Sequence, residues 1–126
     1  MTNLRKPLVI AGMVFVLACS GVALMNLNAE GVERQRSRNM LNQVVRKLHT
    51  GMSREDVLPV VQTAWRHYDC RNRGIDVYLF GSHNPELAAI LVLRYSSETN
   101  KQTLIQIATY ENYLLSDFSD CRIEES

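Results

Sequence analysis

The chain has 126 residues, of which 46% are apolar, and 14 basic side chains nearly balance 13 acidic ones. That length provides one globular domain and excludes a two-domain enzyme. With 21% charged residues and only three prolines, the composition is that of a folded chain and not of a disordered one.

The longest apolar stretch runs from Leu8 to Leu27 and contains no charged residue. A helix of this length reaches about 30 Å, the thickness of the hydrocarbon core of a bilayer. Arg5 and Lys6 precede it, as in a secretory signal or at the cytoplasmic flank of an anchor. The sequence therefore predicts a membrane anchor or lipoprotein signal over 1–28, which contacts lipid through residues 8–27, and one small extracytoplasmic domain over 29–126.

Cys19 separates two versions of this prediction. The stretch from Phe15 to Ser20 resembles the lipobox of bacterial lipoproteins, in which a cysteine after a small residue is lipidated and becomes the new N-terminus. The resemblance implies lipidation at Cys19 and an outer-membrane location. The apolar run continues to Leu27, however, which is longer than a signal needs and favours a retained anchor in the bacterial inner membrane. Both versions stay open, and both place the C-terminal domain in the periplasm.

Two helices are expected after the apolar stretch. Apolar residues recur at helical spacing between Ala29 and His49, and Gly51 ends this first helix. Ser53 caps a second helix, in which Pro59 implies a kink or a later start. The buried stripe of the second helix is predicted to consist of Val57, Leu58, Val61, Ala64, Trp65 and Tyr68.

Beyond Gly74 the apolar period changes from helical to two. Three strands are predicted, over Ile75–Phe80, Ala88–Tyr95 and Thr103–Tyr110, and the connections between them have hairpin length. The predicted fold class is therefore α+β: an N-terminal transmembrane or signal helix, followed by two helices packed on one face of a three-stranded antiparallel sheet.

The start of the second helix also resembles a known family. Gly51, Met52, Ser53 and Val57 match the pattern G-M-[ST]-x-x-x-V of small envelope lipoprotein domains of the SmpA/OmlA type, the family of the small BamE subunit of the outer-membrane assembly machine. The resemblance implies two helices packed on an antiparallel sheet and a role as an accessory subunit in the envelope.

Two cysteines flank the predicted sheet. Cys70 precedes the first predicted strand, and Cys121 follows the last one. In an oxidising compartment a bridge between them would stabilise the domain by roughly 4 kcal/mol in the chain-entropy model. The alternative is a pair of free cysteines that are buried as small apolar residues.

No catalytic or metal-binding constellation is evident in the sequence. His49, His67 and His83 fall in three different predicted elements, and the pair His67 and Cys70 has no second pair of comparable spacing. A glycine-rich phosphate loop and a serine with a plausible histidine and aspartate neighbourhood are both missing. We therefore expect no enzymatic activity and no cofactor.

Charge is divided between the two halves of the domain. Residues 31–73 contain nine basic side chains against four acidic ones, and residues 74–126 contain three against eight. Arg34, Arg36 and Arg38 in the first helix are candidates for contact with anionic headgroups or an acidic partner subunit. The alternative is a solvated helix face. Nucleic-acid binding is not expected, because no recognition motif accompanies the charge.

These observations together predict a membrane-tethered, non-catalytic accessory or interaction subunit of a bacterial membrane or envelope complex. The alternative is an extracytoplasmic sensor domain. It would bind a small molecule or a metal in a groove around Trp65, Tyr68 and His67.

Overall fold

The computed structural model describes residues 28–96, 102–110 and 115–125. The chain divides into two compact units, residues 1–32 and residues 33–126. Of the first unit, residues 28–32 are described, and they are helical and exposed. The predicted anchor over 8–27, with Cys19, lies outside the described residues, and within them no helix is long and apolar enough to cross a membrane.

Helix α1 covers residues 28–45, and its inward side is spaced as an amphipathic helix requires. Ser37, Leu41 and Val44 are buried, and Leu48 is buried just beyond the helix. Helix α2 is a single turn, Arg54–Val57, whose N-cap is Ser53; the Ser53 side chain accepts a hydrogen bond from the Asp56 N–H.

The prediction of a second helix that extends to Tyr68 is wrong. After Val57 the chain continues in turns over residues 58–63, because Pro59 has no N–H for a helical hydrogen bond. Val61 is still buried, but it packs from a turn, and Tyr68 belongs to strand β1, Arg66–Cys70.

The sheet has five antiparallel strands in the order β4-β3-β2-β1-β5, and the predicted fold class is therefore wrong in its three-stranded sheet. The remaining strands are β2 (Ile75–Phe80), β3 (Ala89–Ser96), β4 (Thr103–Tyr110) and β5 (Arg122–Glu125). The three strands expected from the sequence correspond to β2, β3 and β4. β1 was not predicted because its apolar residues continue the helical spacing of the preceding segment. β5 was not predicted because it is short, charged and exposed.

Both faces of the sheet are covered near its centre. On one face, Tyr78 and Phe80 of β2 pack with Leu91 of β3 and with residues of α1 such as Leu41. On the other face, apolar residues of β1, β2 and β3 pack with the 3₁₀ turn Leu115–Phe118: Tyr68, Val77, Leu79, Ile90 and Phe118. This second layer explains why nearly every residue of β2 is buried.

Helix α1 is fixed to the turn after β2 by one close approach. Ser37 Oγ donates to the Glu33 carbonyl oxygen at 3.0 Å and accepts from the Ser82 N–H at 3.0 Å. Gly81 has a φ of +84°, and a Cβ at this position would lie 2.5 Å from Ser37 Cα. Only glycine therefore fits between the turn and the helix.

The outer edge of β4 is partly closed by the segment before α2. The Gly51 N–H donates to the Leu104 carbonyl, the Leu104 N–H donates to the Met52 carbonyl, and the Arg54 N–H donates to the Gln102 carbonyl. Ile105 is a bulge residue, since Gln106 pairs with Arg94 and Leu104 with Tyr95. These contacts fix the start of α2 against the sheet, next to the candidate site.

Candidate functional site

The candidate site is a buried network of charged groups where α2 meets the strands β1 and β2. Asp69 and Asp76 are directly opposite each other in the β1–β2 pair, so two carboxylates share one face of the sheet. Like charges in that position repel. The Arg54 guanidinium compensates for them: Nη2 lies 2.9 Å from Asp76 Oδ1 and 3.6 Å from Asp69 Oδ1.

Asp76 is the most buried member of this network, with 1% of its surface exposed. Its Oδ1 accepts from Arg54 and lies 2.9 Å from His67 Nε2. Its Oδ2 is buried and has no hydrogen-bond partner among the described residues. A buried carboxylate needs such partners, because desolvation of an unpaired charge is costly.

His67 bridges two neighbouring strands. Its ring stacks on Tyr78 of β2, with centroids 4.4 Å apart, and its Nδ1 lies 3.5 Å from Glu124 Oε2 of β5. Burial lowers the pKa of His67, but the hydrogen bond and the charge of Asp76, with a further contribution from Glu124, outweigh burial and raise the pKa above 6.5. Both ring nitrogens face carboxylates, which stabilise the doubly protonated form of the ring.

Two tyrosines complete the inner side of the network. The Arg54 guanidinium lies over the Tyr95 ring, 5.8 Å from its centroid. The hydroxyls of Tyr78 and Tyr95 are buried and have no partner among the described residues. Burial, together with the charge of Asp76, raises the pKa of both groups, so both hydroxyls stay protonated.

A groove of about 770 Å³ opens beside this network, between α2 and the strands β1 and β5. We call it the β1–β5 groove; its described lining is Ser53, Arg54, Glu55, Leu58, His67, Asp69, Arg71, Gln102 and Glu124. Most of its charged groups are paired with one another: Arg71 with Asp69 at 3.1 Å, for example, and His67 with Glu124. Chemically, the groove can bind a polar ligand and exchange a proton at His67.

The structure describes no metal centre here. No group of three or more His, Cys, Asp and Glu side chains in the described part of the chain is arranged to hold a metal ion. The groove suggested around Trp65, Tyr68 and His67 is not formed by these three residues together. His67 faces α2, whereas Tyr68 is packed on the other face of the sheet against Phe118.

The other predicted site residues are found in two places. Arg34, Arg36 and Arg38 are all exposed on α1. Arg34 and Arg38 are one turn apart and line the same cavity, whereas Arg36 is about half a turn away around the helix. Cys70 and Cys121 are brought to disulfide distance, with the Sγ atoms 1.94 Å apart and the Cα atoms 4.7 Å apart.

The charged network itself was missed by the sequence analysis. Asp76 alternates with apolar residues in β2, and this pattern assigns its side chain to one face of the sheet. The pattern does not show that this face is buried. Arg54 entered the sequence analysis only as one of the nine basic side chains of residues 31–73. The only available signal was an aspartate inside a strongly apolar strand, which needs a cationic partner if both faces of the sheet are covered.

Comparison with known proteins adds no relative: no family model, no curated protein and no solved structure matches this chain. The resemblance to the SmpA/OmlA domains, which depends on Gly51, Met52, Ser53 and Val57, therefore stays a prediction.

Proposed function

We propose that this protein is a membrane-tethered, non-catalytic interaction subunit of a bacterial membrane or envelope complex. The tether is the uncharged segment Leu8 to Leu27, either retained or replaced by a lipid at Cys19. The domain after it contacts a protein partner through the exposed arginines of α1.

One contrast between two sets of arginines supports this proposal. Arg54 is largely buried, and its guanidinium is used within the fold by Asp76 and Asp69. Arg34 and Arg36 are exposed on α1 and have no ion-pair partner among the described residues. Exposed charges such as those of Arg34 and Arg36 contribute little to folding and are available to an acidic surface.

Reversal of the α1 arginines tests the proposal. In the full-length protein, Arg34→Glu, Arg36→Glu and Arg38→Glu together should release the partner from detergent-solubilised membranes, because each basic group near an anionic surface contributes about 1 kcal/mol. The loss should be largest at low salt, where screening is weakest. Circular dichroism should show an unchanged fold.

A triple reversal outside α1 provides the matched control. Arg71, Arg94 and Arg122 are exposed, so their change to Glu alters the net charge equally without touching α1. If both triple variants retain the partner equally at low and high salt, the α1 arginines are solvated surface and the proposal is wrong.

The sensor alternative has one supporting observation of its own: the buried Oδ2 of Asp76 has no partner among the described residues, and two side chains that contact Asp76, Arg54 and His67, line the β1–β5 groove. A small molecule that donates a hydrogen bond would satisfy such an atom. Native mass spectrometry of the purified protein distinguishes the two functions, because a ligand that stays bound in wild type and is lost in Asp76→Asn would favour the sensor.

A further inference from the structure

A second cavity, of about 360 Å³, lies between α1, the segment before β3 and the end of β4. Arg34 and Arg38 line it from α1, and Tyr110 lines it from β4. Leu41 and Leu87, both nearly buried, contribute apolar surface. We call this the arginine cavity; it shares no described lining residue with the β1–β5 groove.

The described lining of the arginine cavity is amphipathic. Among the lining residues that the structure describes, there are two guanidiniums and one carboxylate, that of Glu86. Guanidinium groups present forked N–H donors that match phosphate oxygens, and they do so better than lysine would. Apolar surface next to these donors suits a ligand that has an anionic head and an apolar tail.

The chain itself limits how far this cavity is from any lipid that the tether contacts. Arg34 is seven residues beyond Leu27, since 34 − 27 = 7. Seven residues span at most about 25 Å even when fully extended. With the anchor retained, the chain therefore limits Arg34 to within about 25 Å of the anchor's last residue.

We propose that the arginine cavity binds the headgroup of an anionic phospholipid. The phosphate accepts hydrogen bonds from Arg34 and Arg38, and the carbons next to it contact Leu41 and Leu87. The inference deepens the proposed function and rests on its membrane tether. The short chain between tether and cavity favours a lipid over an acidic peptide, which is the competing class of ligand.

Lipid binding by the full-length protein in detergent tests this inference, with native mass spectrometry as the readout. Wild type should retain one short-chain phosphatidylglycerol and should not retain phosphatidylcholine, whose headgroup has no net charge. Arg34→Gln with Arg38→Gln should weaken retention roughly 30-fold, because each basic group contributes about fivefold near an anionic headgroup.

Two further variants separate the cavity from general surface charge. Arg36→Gln with Lys47→Gln removes the same charge from exposed positions outside the cavity lining and should change retention less than threefold. Thr109→Trp places a large ring at an exposed lining position, keeps the charge, and should block the lipid. Thermal melting confirms that each variant is folded.

Several outcomes would overturn the inference. Equal losses in the two double-glutamine variants would mean general charge attraction, and displacement by equimolar inorganic phosphate would mean that the apolar surface is not used. Binding of an acidic peptide without phosphatidylglycerol would assign the cavity to the other ligand class. If lipid is not retained but the triple reversal still releases the protein partner, only this inference fails. If lipid is retained but the triple reversal does not release the partner, only the proposed function is contradicted.

Discussion

Asp76 is the residue on which the charged network depends most. It is buried, and it accepts from both Arg54 and His67. Its removal would leave a largely buried guanidinium whose one remaining carboxylate is Asp69, at the longer distance of 3.6 Å, beside a hydrogen bond to Gln102 Oε1. The loss of one partner from a buried ion pair typically costs about 3 kcal/mol or more.

We therefore predict that Asp76→Asn lowers the free energy of unfolding by about 3 kcal/mol. Urea unfolding measures the change. Asp117→Asn is the matched control, since Asp117 is exposed and its variant should stay within about 0.5 kcal/mol of wild type. Equal stability of the two variants would show that the network contributes nothing to folding.

His67 should make stability depend on pH. Its folded-state pKa is raised above 6.5, so the folded protein holds the proton more tightly than the unfolded chain does. The stabilisation is fully present below pH of about 6.5 and is lost as pH rises through the folded-state pKa. His67→Gln should remove this decline in the free energy of unfolding. A variant with the same decline as wild type would assign the effect to another group.

At the scale of elements, the attachment of α1 to the turn after β2 is the sharpest constraint. Gly51 and Gly81 both have positive φ, but an added Cβ would collide with a neighbouring element at Gly81 and would meet nothing within 4 Å at Gly51. Gly51→Ala should therefore cost about 1 kcal/mol from backbone strain alone.

Gly81→Ala adds a collision with the backbone of Ser37 and should cost at least twice as much as Gly51→Ala in the free energy of unfolding. Thermal and urea unfolding of the two variants give the comparison. Similar losses would mean that α1 moves away from the turn without cost.

The disulfide pair is the second device at this scale, because Cys121 directly precedes β5 and Cys70 ends β1. We predict that serine at both positions lowers the free energy of unfolding by about 4 kcal/mol, given a sequence separation of 51. Hydrogen exchange should rise first in Arg122–Glu125, the exposed edge strand. Free reactivity of both thiols in protein denatured without reductant would contradict the bridge.

Elements whose apolar residues recur with one regular period could be predicted from the sequence. Elements whose spacing fits both a helix and a strand could not. The predicted Thr103–Tyr110 strand coincides with β4, and the helical spacing before Gly51 indicated α1. Spacing alone cannot distinguish a helix from turns followed by a strand, which is why β1 was placed in a helix. The site was less predictable still, since Arg54 and Asp76 meet only through the tertiary packing of α2 on the sheet.

At the scale of the whole molecule, two sets of charged groups differ in what they contact. Arg54, His67, Asp69 and Asp76 satisfy one another within the fold, whereas the basic residues of α1 face outward. Residues 31–73 have a net charge of +5 and residues 74–126 one of −5, and several charges of the two halves pair with each other, such as Arg54 with Asp76 and Arg66 with Glu125. The proposed partner contact uses the exposed basic residues of α1, and it requires no catalytic group.

Site-specific photo-crosslinking in native membranes tests the partner contact most directly. A photoreactive residue at Asn39 lies on the exposed side of α1 near the arginines, and its only described side-chain hydrogen bond is to the exposed Gln35. The matched position is Asn72, which is exposed in the turn between β1 and β2. We predict a discrete crosslinked protein band from position 39, weakened by high salt, and none from position 72. Crosslinks absent from position 39, or equal from both positions, would contradict an interaction surface on α1.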